Sequence, residues 1–387
     1  MPTDIKKEFE AVRNLFPHTN DVVYFNSASY GPFSKPLVDA VNENMKIRMD
    51  AYNDDSHDAF VLRVNLRERY AKLIGAQTEE VGVGLSTTMG INIAAFGLPL
   101  EEGDEILLSH KEFPALVYTF QAAADERGYK IKMIDTKDDH VDIDAFAKAI
   151  TRKTKVIAVS FVQFFNGYKN DLEALSALCQ KHNLYFVVDG IQGLGAEQID
   201  VSKLKIDIFS SGCQKWMLSP QGCAIFYLSN RIRNKLRIPF MSWLGVDWNT
   251  QFGDLFQYDK PYFETAEKFE LGYYAVLNLY GMAASLDIFE RLSIEKIQIH
   301  NHALIDMLAE YIQKSPHFEI TSTLDKKYRS SIFTFKTEKN EELKQFLFDR
   351  KIIVVLREGS IRVSVHLYND ESDIQKLIDA LEEFINI

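Results

Sequence analysis

Cysteine is scarce in this sequence, with only Cys179, Cys213 and Cys223 among 387 residues. They form no C-x-x-C pair, and any pairing scheme leaves one unpaired, which argues against a disulfide scaffold and favours a reducing compartment. Long apolar runs are also missing, so no segment is predicted to span a bilayer. The amphipathic, charged N-terminus has no apolar signal core. We therefore expect a cytoplasmic location and no membrane partner.

Blocks of basic residues, internal repeats and low-complexity segments are missing as well. The formal net charge is −11, and without concentrated lysine and arginine the chain does not resemble a general nucleic-acid binder. Its content of 46% hydrophobic and 26% charged residues is that of a globular protein with a buried core. The length fits a large α/β core with one smaller domain, or two to three ordinary domains.

Between about residues 80 and 230, short apolar runs alternate with helical patterns. This alternation predicts βαβ units, an α/β fold and a mainly parallel, doubly wound sheet. The predicted strands are VGVGLS, EILLS, KIKMID, KVIAVSFV, LYFVVDG, DIFSSG and CAIFYLS. Residues 231–265 break the rhythm with an aromatic, irregular stretch. The tail combines long helices with the strands SSIFTFK, KIIVVL and SIRVSVH, which predicts a compact α+β unit.

We predict three parts of the chain from this pattern. Residues 1–20 form an N-terminal helical segment that packs on the small domain. Residues 21–265 form the large domain, which carries the main sheet, and residues 266–387 form the small C-terminal domain.

Residues directly after the strands are candidates for ligand binding, because ligands of doubly wound sheets bind beyond the carboxyl ends of the strands. The turn Ser86-Thr87-Thr88-Met89-Gly90 leads from a strand into an apolar helix. Free N–H groups at the helix start, with the Thr87 and Thr88 hydroxyls, would make a phosphate seat. A plain serine or threonine N-cap explains the same residues.

Two charged residues follow other strands. Asp189 ends the run YFVVD, where a buried carboxylate needs a cation or several donors, such as a protonated pyridine nitrogen. Capping the next helix, or pairing with an arginine, is its structural alternative. Lys215 follows DIFSSG in a small-residue, apolar context, where a desolvated amine is a nucleophile towards carbonyls. A solvated loop lysine is the alternative there.

Arg362 interrupts the apolar strand IRVSV. Its planar guanidinium suits a carboxylate, either of a substrate or of a structural aspartate or glutamate. Together the four positions supply a phosphate seat, a partner for a cationic ring, an imine-forming lysine and a carboxylate receptor. Pyridoxal phosphate and an amino acid need that combination, and no other common cofactor does.

The order and wording of the motifs resemble the class V aminotransferase superfamily, which has the aspartate aminotransferase fold. The likeness runs from about Val22 to about Phe384, and it is closest to isopenicillin N epimerase-like and kynureninase-like members. The motifs that carry it are YFNSASYGP at 24–32, VDGIQG at 188–193, SGCQKW at 211–216, FELG at 269–272 and IRVSVHLYN at 361–369.

The resemblance implies a role for each candidate residue. Lys215 would form the imine with the cofactor and then move the α-proton, while Asp189 would hold the pyridine nitrogen. The other implied contacts are Gln192 to the ring oxygen, Phe113 on the ring face, and Thr87, Thr88, Gln214 and Ser211 to the phosphate. The substrate carboxylate would bind Arg362, and Asn26, Ser27, Ala28 and Tyr30 would line the entrance.

Relatives complete the site across a homodimer, so the resemblance also implies that Trp243 and Tyr273 reach a partner subunit. Ordinary core packing explains such aromatic residues equally well. No metal site and no nucleic-acid partner are expected. The expected partner is a small-molecule amino acid or amine.

Two sequence differences from the desulfurases of the superfamily reduce the number of candidate reactions. Where desulfurases carry a histidine over the cofactor ring, this sequence has Glu112-Phe113-Pro114. Desulfurases also carry a nucleophilic cysteine on the loop before the carboxylate-binding arginine. The corresponding segment 351–361, KIIVVLREGSI, contains no cysteine, so sulfur transfer through a persulfide is not expected. Cys213 and Cys223 are interpreted as small core residues.

The working assignment is an aminotransferase. The alternatives are a β-lyase of the kynureninase or cysteine/selenocysteine lyase type, an amino-acid epimerase, and a non-catalytic regulatory relative. Arg357, five positions before Arg362, would favour a dicarboxylate if it faces the site, although a solvated arginine is the commoner case. The sequence does not reveal the substrate.

Overall fold

The computed structural model describes residues 3–51, 56–248, 254–272 and 275–386, and the features below refer to these parts of the chain. The strands are β1 Val23–Tyr24, β2 Val81–Gly84, β3 Glu105–Ser109, β4 Lys130–Ile134, β5 Thr154–Ser160, β6 Tyr185–Asp189, β7 Ile208–Gly212, β8 Ala224–Leu228, β9 Glu319–Ile320, β10 Ile332–Lys336, β11 Ile352–Ile353, β12 Val355–Arg357 and β13 Ser360–Ser364. The helices are α1 Thr3–Arg13, α2 Lys35–Asp50, α3 Ser56–Ile74, α4 Thr87–Gly97, α5 Pro114–Arg127, α6 Ile143–Ala149, α7 Leu172–His182, α8 Val276–Leu292, α9 Ile294–Lys314, α10 Asn340–Asp349 and α11 Glu371–Ile385.

The central sheet has seven strands in the order β2-β8-β7-β6-β5-β3-β4. The strands from β7 to β4 pair in parallel, whereas β8 runs antiparallel to both β7 and β2. The prediction of an α/β fold with a mainly parallel sheet is therefore confirmed. Because parallel strands end at one edge, the residues after β3, β5, β6 and β7 meet there.

Helices cover both faces of the central sheet, and the strand sequences show why. Along β5 the side chains alternate between two separate cores: Ile157 and Val159 enter one, and Val156 and Ala158 enter the other. A strand buried on both faces reads as a continuous apolar run, which is the pattern of KVIAVSFV. The sheet is thus a rigid platform for residues at its carboxyl edge.

A second sheet follows in the C-terminal part, with the antiparallel order β12-β13-β10-β9. A third apolar cluster, made by side chains of α9, α10 and α11, packs on it. The short strand β1 pairs in parallel with β11, and Asn26 bridges to Ser364 at the end of β13. The N-terminal segment 23–26 therefore connects the second sheet to the region that precedes α2.

One predicted strand is divided in the structure. The run KIIVVL forms β11, which pairs with β1, and then β12, which pairs with β13. The irregular stretch predicted at 231–265 contains turns and a single turn of 3₁₀ helix at Trp243–Gly245 in its described residues. Within the described chain, no helix combines the length and the apolar content that a bilayer crossing needs. The domain boundaries stay a prediction.

Candidate active site

Lys215 lies in the tight segment that follows β7. The amide of Cys213 donates to the carbonyl of Cys223, and the amide of Gly31 donates to the carbonyl of Gln214 at 2.9 Å. A Cβ on Gly31 would collide with the carbonyl oxygen of Lys215. The segment 26–31 therefore packs directly on the lysine loop, and only glycine permits that approach.

The environment of Lys215 favours its neutral amine. The pKa of Lys215 is lowered to about 8, mainly by burial and to a smaller extent by the charges of Arg362 and Arg357, while the carboxylate of Asp189 opposes the shift. The Nζ atom lies 5.6 Å from the centre of the Phe113 ring. Lys215 is thus partly buried rather than a fully solvated loop lysine, and an amine with a pKa of about 8 is a better nucleophile at neutral pH than an ordinary lysine.

Asp189 is buried at the carboxyl end of β6. Its Oδ1 accepts a hydrogen bond from the Ile191 amide at 3.0 Å, within a turn rather than at the start of a helix. Burial raises the pKa of Asp189 to about 6, and the Ile191 amide and the charge of Lys215 oppose that rise. No arginine in the described chain pairs with it. A cationic ligand beside this carboxylate would offset its desolvation.

Gln192 is held from two sides by the protein. Its Nε2 donates to the carbonyl of Ala28 at 3.1 Å, and its Oε1 accepts from the indole Nε1 of Trp216 at 2.8 Å. One Nε2 hydrogen is left for a further acceptor. The amide thus links the segment 26–31 to the residue after Lys215.

Arg362 is a buried cation at the edge of this site. It is 1% exposed, and it donates from Nη1 to the carbonyl of Phe164 at 2.6 Å and from Nη2 to the hydroxyl of Ser29 at 2.8 Å. Its Nε has no partner, and no carboxylate of the described residues pairs with it. Burial lowers its pKa to about 9, with a further contribution from Arg357. An anion would relieve this cost.

Phe113 and Glu112 follow β3 at the same edge of the sheet. The Phe113 ring is partly exposed and contacts Phe164 edge-on, with 5.2 Å between ring centres. The buried carboxyl of Glu112 accepts from the Ser160 amide at 3.1 Å and from Gln163 Nε2 at 3.3 Å. Burial raises the pKa of Glu112 to about 7. Phe113 therefore offers an apolar face towards Lys215, and Glu112 fixes the end of β5.

The predicted phosphate seat is the start of α4. Ser86 is the N-cap, and its Oγ accepts from the Met89 amide at 3.3 Å. The Thr87 hydroxyl accepts from the Gly212 amide at 2.8 Å, which ties α4 to the end of β7. Thr88 lines a cleft of about 690 Å³ whose lining includes neither Lys215 nor Asp189. The structure thus brings Thr87 to the lysine loop, whereas Thr88 lines a cleft to which Lys215 does not contribute.

The remaining candidates differ in how close they lie to this centre. The Ser27 hydroxyl bonds to Tyr368, and the buried Oδ1 of Asn26 has no hydrogen-bond partner among the residues that the structure describes. Ser211 is buried, and Gln214 is half-buried beside Lys215. Tyr30 is 56% exposed, and Trp243 is 40% exposed and packs edge-on against Trp248. Tyr273 lies outside the described residues.

The residues around Lys215 fit pyridoxal phosphate by their chemistry. The buried Asp189 carboxylate could pair with the cationic ring nitrogen, and the Phe113 ring could stack on the cofactor ring. The start of α4 beside Gly212 offers amide and hydroxyl donors for the phosphate. The buried Nε of Arg362 and Oδ1 of Asn26 lack partners among the described residues. The fold and the site together define an enzyme dependent on pyridoxal phosphate.

The comparisons with known proteins then specify the family. The model of the class-V aminotransferases matches residues 24–377, so the chain belongs to that family, whose cofactor is pyridoxal phosphate. An uncharacterized aminotransferase of Bacillus subtilis, YcbU, is 23% identical over 373 residues, covering 96% of this chain and 97% of its own length.

Two solved structures share the fold. The apo cysteine desulfurase from Thermococcus onnurineus NA1 is 23% identical with a TM-score of 0.86, covering 97% of this chain and 98% of its own. A mutant of C-DES, with glycine covalently linked to its pyridoxal phosphate cofactor, is 20% identical with a TM-score of 0.86, covering 95% of this chain and 98% of its own.

Sequence reasoning missed several residues that build the site. The carbonyl oxygen of Phe164 accepts a hydrogen bond from the Arg362 guanidinium, and the Phe164 ring packs against Phe113. Trp216 holds Gln192, and Ser29 bonds to Arg362. The position of Phe164, just after β5 at the same sheet edge, was an available signal, because the same rule pointed to Asp189 and Lys215.

Proposed function

We propose that this enzyme acts at the α-carbon of an amino acid, with transamination as the working reaction and Lys215 as the catalytic base. The observation that carries the proposal is the position of Lys215 between two charged groups. One is Asp189, a buried carboxylate, and the other is Arg362, a buried guanidinium without a carboxylate partner in the described chain. A pyridoxal ring nitrogen would pair with the Asp189 carboxylate, and the carboxylate of an amino acid would pair with the Arg362 guanidinium.

Each residue has a distinct task in this proposal. When bound, pyridoxal phosphate supplies an electron sink for negative charge at the α-carbon. The Lys215 amine would hold the cofactor and would also take and return the α-proton, for which a pKa of about 8 is suitable. The Asp189 carboxylate would keep the ring nitrogen protonated, Phe113 would cover the ring and Gln192 would donate to the ring oxygen. Arg362 orients the substrate through its carboxylate.

The donors proposed for the phosphate lie at the start of α4 and in the lysine loop. Thr87, Thr88, Ser211 and Gln214 would provide them, together with the free amides of the first helical turn. For Thr88, this requires the cleft that it lines to join the space around Lys215 when the cofactor binds.

A β-lyase reaction is the second candidate, because a solved cysteine desulfurase shares the fold. Three observations argue against a persulfide route within that class. All three cysteines are buried, and burial raises the pKa of the Cys213 thiol to about 12. The segment before Arg362 is the hairpin of β12 and β13, with its turn at Glu358 and Gly359, and it contains no cysteine. An elimination that needs only Lys215 stays compatible with the site.

Absorbance spectroscopy tests the proposal directly. Purified protein incubated with pyridoxal phosphate should develop a visible band, which borohydride bleaches while linking the cofactor to the peptide that contains Lys215. Amino acids should shift that band, and assays for keto acid, ammonia and racemised product then separate transamination from elimination and epimerisation. A band that is unchanged in Lys215→Ala would overturn the lysine assignment. A band that forms but shifts with no amino acid would support a binding protein without turnover.

We also propose a homodimer in the cytoplasm, with the site completed across the interface by Trp243 and Tyr273. The support is an apolar surface on two helices, where Val38, Met45 and Met49 of α2 and Val61 and Val64 of α3 are exposed. Exposed apolar groups that recur on one helix face favour a protein contact. The sparse cysteine content supports the reducing compartment.

A further inference from the structure

Arg357 lies on the same face of the second sheet as Arg362. Strand β12 pairs antiparallel with β13, and Val355 is directly opposite Arg362. Side chains alternate along a strand, so Arg357, two residues after Val355, projects from the face that carries Arg362. Such diagonal neighbours are about 7–8 Å apart, which is within reach of two long side chains. The hairpin thus places two guanidinium groups side by side.

The polar neighbours of this face satisfy one another. The hydroxyls of Thr321 and Thr334 lie 2.8 Å apart, and those of Thr321 and Ser360 lie 3.0 Å apart. Glu358, the acidic residue next to Arg357 in the turn, is exposed. Arg357 is half-buried, its Nε is fully buried without a partner, and no carboxylate or carbonyl of the described residues bonds to its guanidinium. A buried N–H donor without a partner is unfavourable, and an anion bound to the half-buried guanidinium would relieve that cost.

The charge of Arg357 acts on the reacting centre. It contributes to the lowered pKa of Lys215 and to that of Arg362. Both other members of this positive group are assigned above, Lys215 to the cofactor and Arg362 to the substrate carboxylate. The buried carboxylate on the other side, Asp189, is assigned to the ring nitrogen. Of these three cations, Arg357 is therefore the one that remains to bind a further group of the substrate.

We propose that Arg357 selects amino acids whose side chain ends in a carboxylate, while Arg362 binds the α-carboxylate. The inference rests on the proposed function, since it assigns the side-chain end of the same substrate. A neutral amide of equal shape offers the Arg357 guanidinium one acceptor oxygen and no negative charge, whereas a carboxylate offers two acceptor oxygens and a charge. The site therefore discriminates between acid and amide by charge and hydrogen bonding rather than by size.

The test compares aspartate with asparagine and glutamate with glutamine, by titrating each into the enzyme loaded with pyridoxal phosphate and following the visible band. The preferred acid should bind at least about tenfold more tightly than its amide. Arg357→Gln should remove this preference, with the affinity for the amide and for pyridoxal phosphate changing less than about twofold. Arg357→Lys, which keeps the charge, should recover part of the preference. Arg350→Gln removes a surface arginine paired with Glu383 and is the matched control.

Three outcomes would overturn the inference. The first is an amide that binds as tightly as its acid, and the second is an equal loss for acid and amide in Arg357→Gln. The third is weakened binding of pyridoxal phosphate in that variant, which would place Arg357 on the cofactor instead. If no amino acid of any kind shifts the band, the proposed function fails. If neutral amino acids shift the band and acidic ones do not, only the selection by Arg357 fails.

Discussion

At the scale of single residues, the lowered pKa of Lys215 has a direct chemical consequence. With a pKa of about 8 instead of 10.5, the neutral amine at pH 7 is about 300-fold more abundant than for an ordinary lysine. We expect acylation of Lys215 in the cofactor-free protein to accelerate as pH rises through about 8 and then to level off. Mass spectrometry of the peptide that contains Lys215, after brief exposure to an acylating reagent at each pH, gives the titration.

The exposed lysines in the same digest are the internal standard for this measurement. Their acylation should keep rising to about pH 10, because solvated amines are protonated below that. Removing the carboxylate of Asp189 should shift the Lys215 titration further down, since that charge opposes the effect of burial. A Lys215 profile that follows those of the exposed lysines would contradict the buried, depressed amine described above.

The three charged candidates that sequence reasoning found, Asp189, Lys215 and Arg362, share one property, namely that each is unusual in its local sequence. Asp189 and Arg362 are charges within apolar runs, and Lys215 sits among small and apolar residues, so the cost of desolvation marks all three. Phe164 and Trp216 carry no such mark, because aromatic residues are expected in cores. Their roles depend on a carbonyl and an indole N–H that only the folded chain aims at Arg362 and Gln192.

At the scale of elements, the hairpin of β12 and β13 fixes the spacing of the two arginines, and its turn depends on Gly359. That residue has φ +76°, and a Cβ there would meet no atom within 4 Å. Gly359→Ala should therefore cost only backbone strain, about 1 kcal/mol of unfolding free energy. Because the strain falls on the turn between Arg357 and Arg362, we also expect KM for the amino acid to rise about three- to tenfold.

Gly103 is the matched control for that prediction. It has φ +80° in the turn before β3, and a Cβ there would also meet nothing within 4 Å. Gly103→Ala should lower the unfolding free energy by a similar amount, measured by urea denaturation, and leave KM unchanged. Equal effects of the two variants on KM would show that general destabilisation, rather than the hairpin, controls substrate binding.

Long strands could be predicted from their apolar sequence patterns, whereas very short strands could not. All seven strands of the central sheet were predicted. Six of them read as largely apolar runs, because a strand buried on both faces leaves a continuous signal, whereas the edge strand β4, KIKMI, alternates between lysine and apolar residues. The two-residue strand β1 has no pattern of its own and forms only because β11 pairs with it. The division of KIIVVL into β11 and β12 could not be predicted, since it depends on two different partner strands.

At the scale of the whole molecule, Arg13 connects the N-terminal helix α1 to the C-terminal helix α11. Its Nη1 lies 2.7 Å from Asp373, whose side chain is 2% exposed, and its Nε lies 3.1 Å from Asp370. Arg13→Met would leave the Asp373 carboxylate buried without its cation, which costs about 3 kcal/mol of unfolding free energy. Urea denaturation of the variant measures the loss.

Lys6→Met is the control, because the Lys6–Glu371 pair joins the same two helices with both side chains exposed. An exposed pair gains little from its charges, so this variant should unfold like the unmodified protein. Similar losses in both variants would mean that helix α1 contributes through apolar contacts such as that of Phe9 with His300, rather than through the buried ion pair.

The proposed dimer ties the surface of the molecule to its chemistry. Met45 and Met49 lie one helical turn apart on α2, and Met49 is 84% exposed. If the partner subunit covers this face, Met45→Glu with Met49→Glu places two carboxylates in an apolar contact and should produce a monomer, measured by light scattering. Phe348→Glu alters another exposed apolar side chain, on α10, and should leave the mass unchanged. Because Trp243 and Tyr273 are proposed to reach the partner's cofactor, the monomer should also hold pyridoxal phosphate more weakly. A monomer that binds pyridoxal phosphate with full affinity would support the proposed interface and contradict a site that is shared between two subunits.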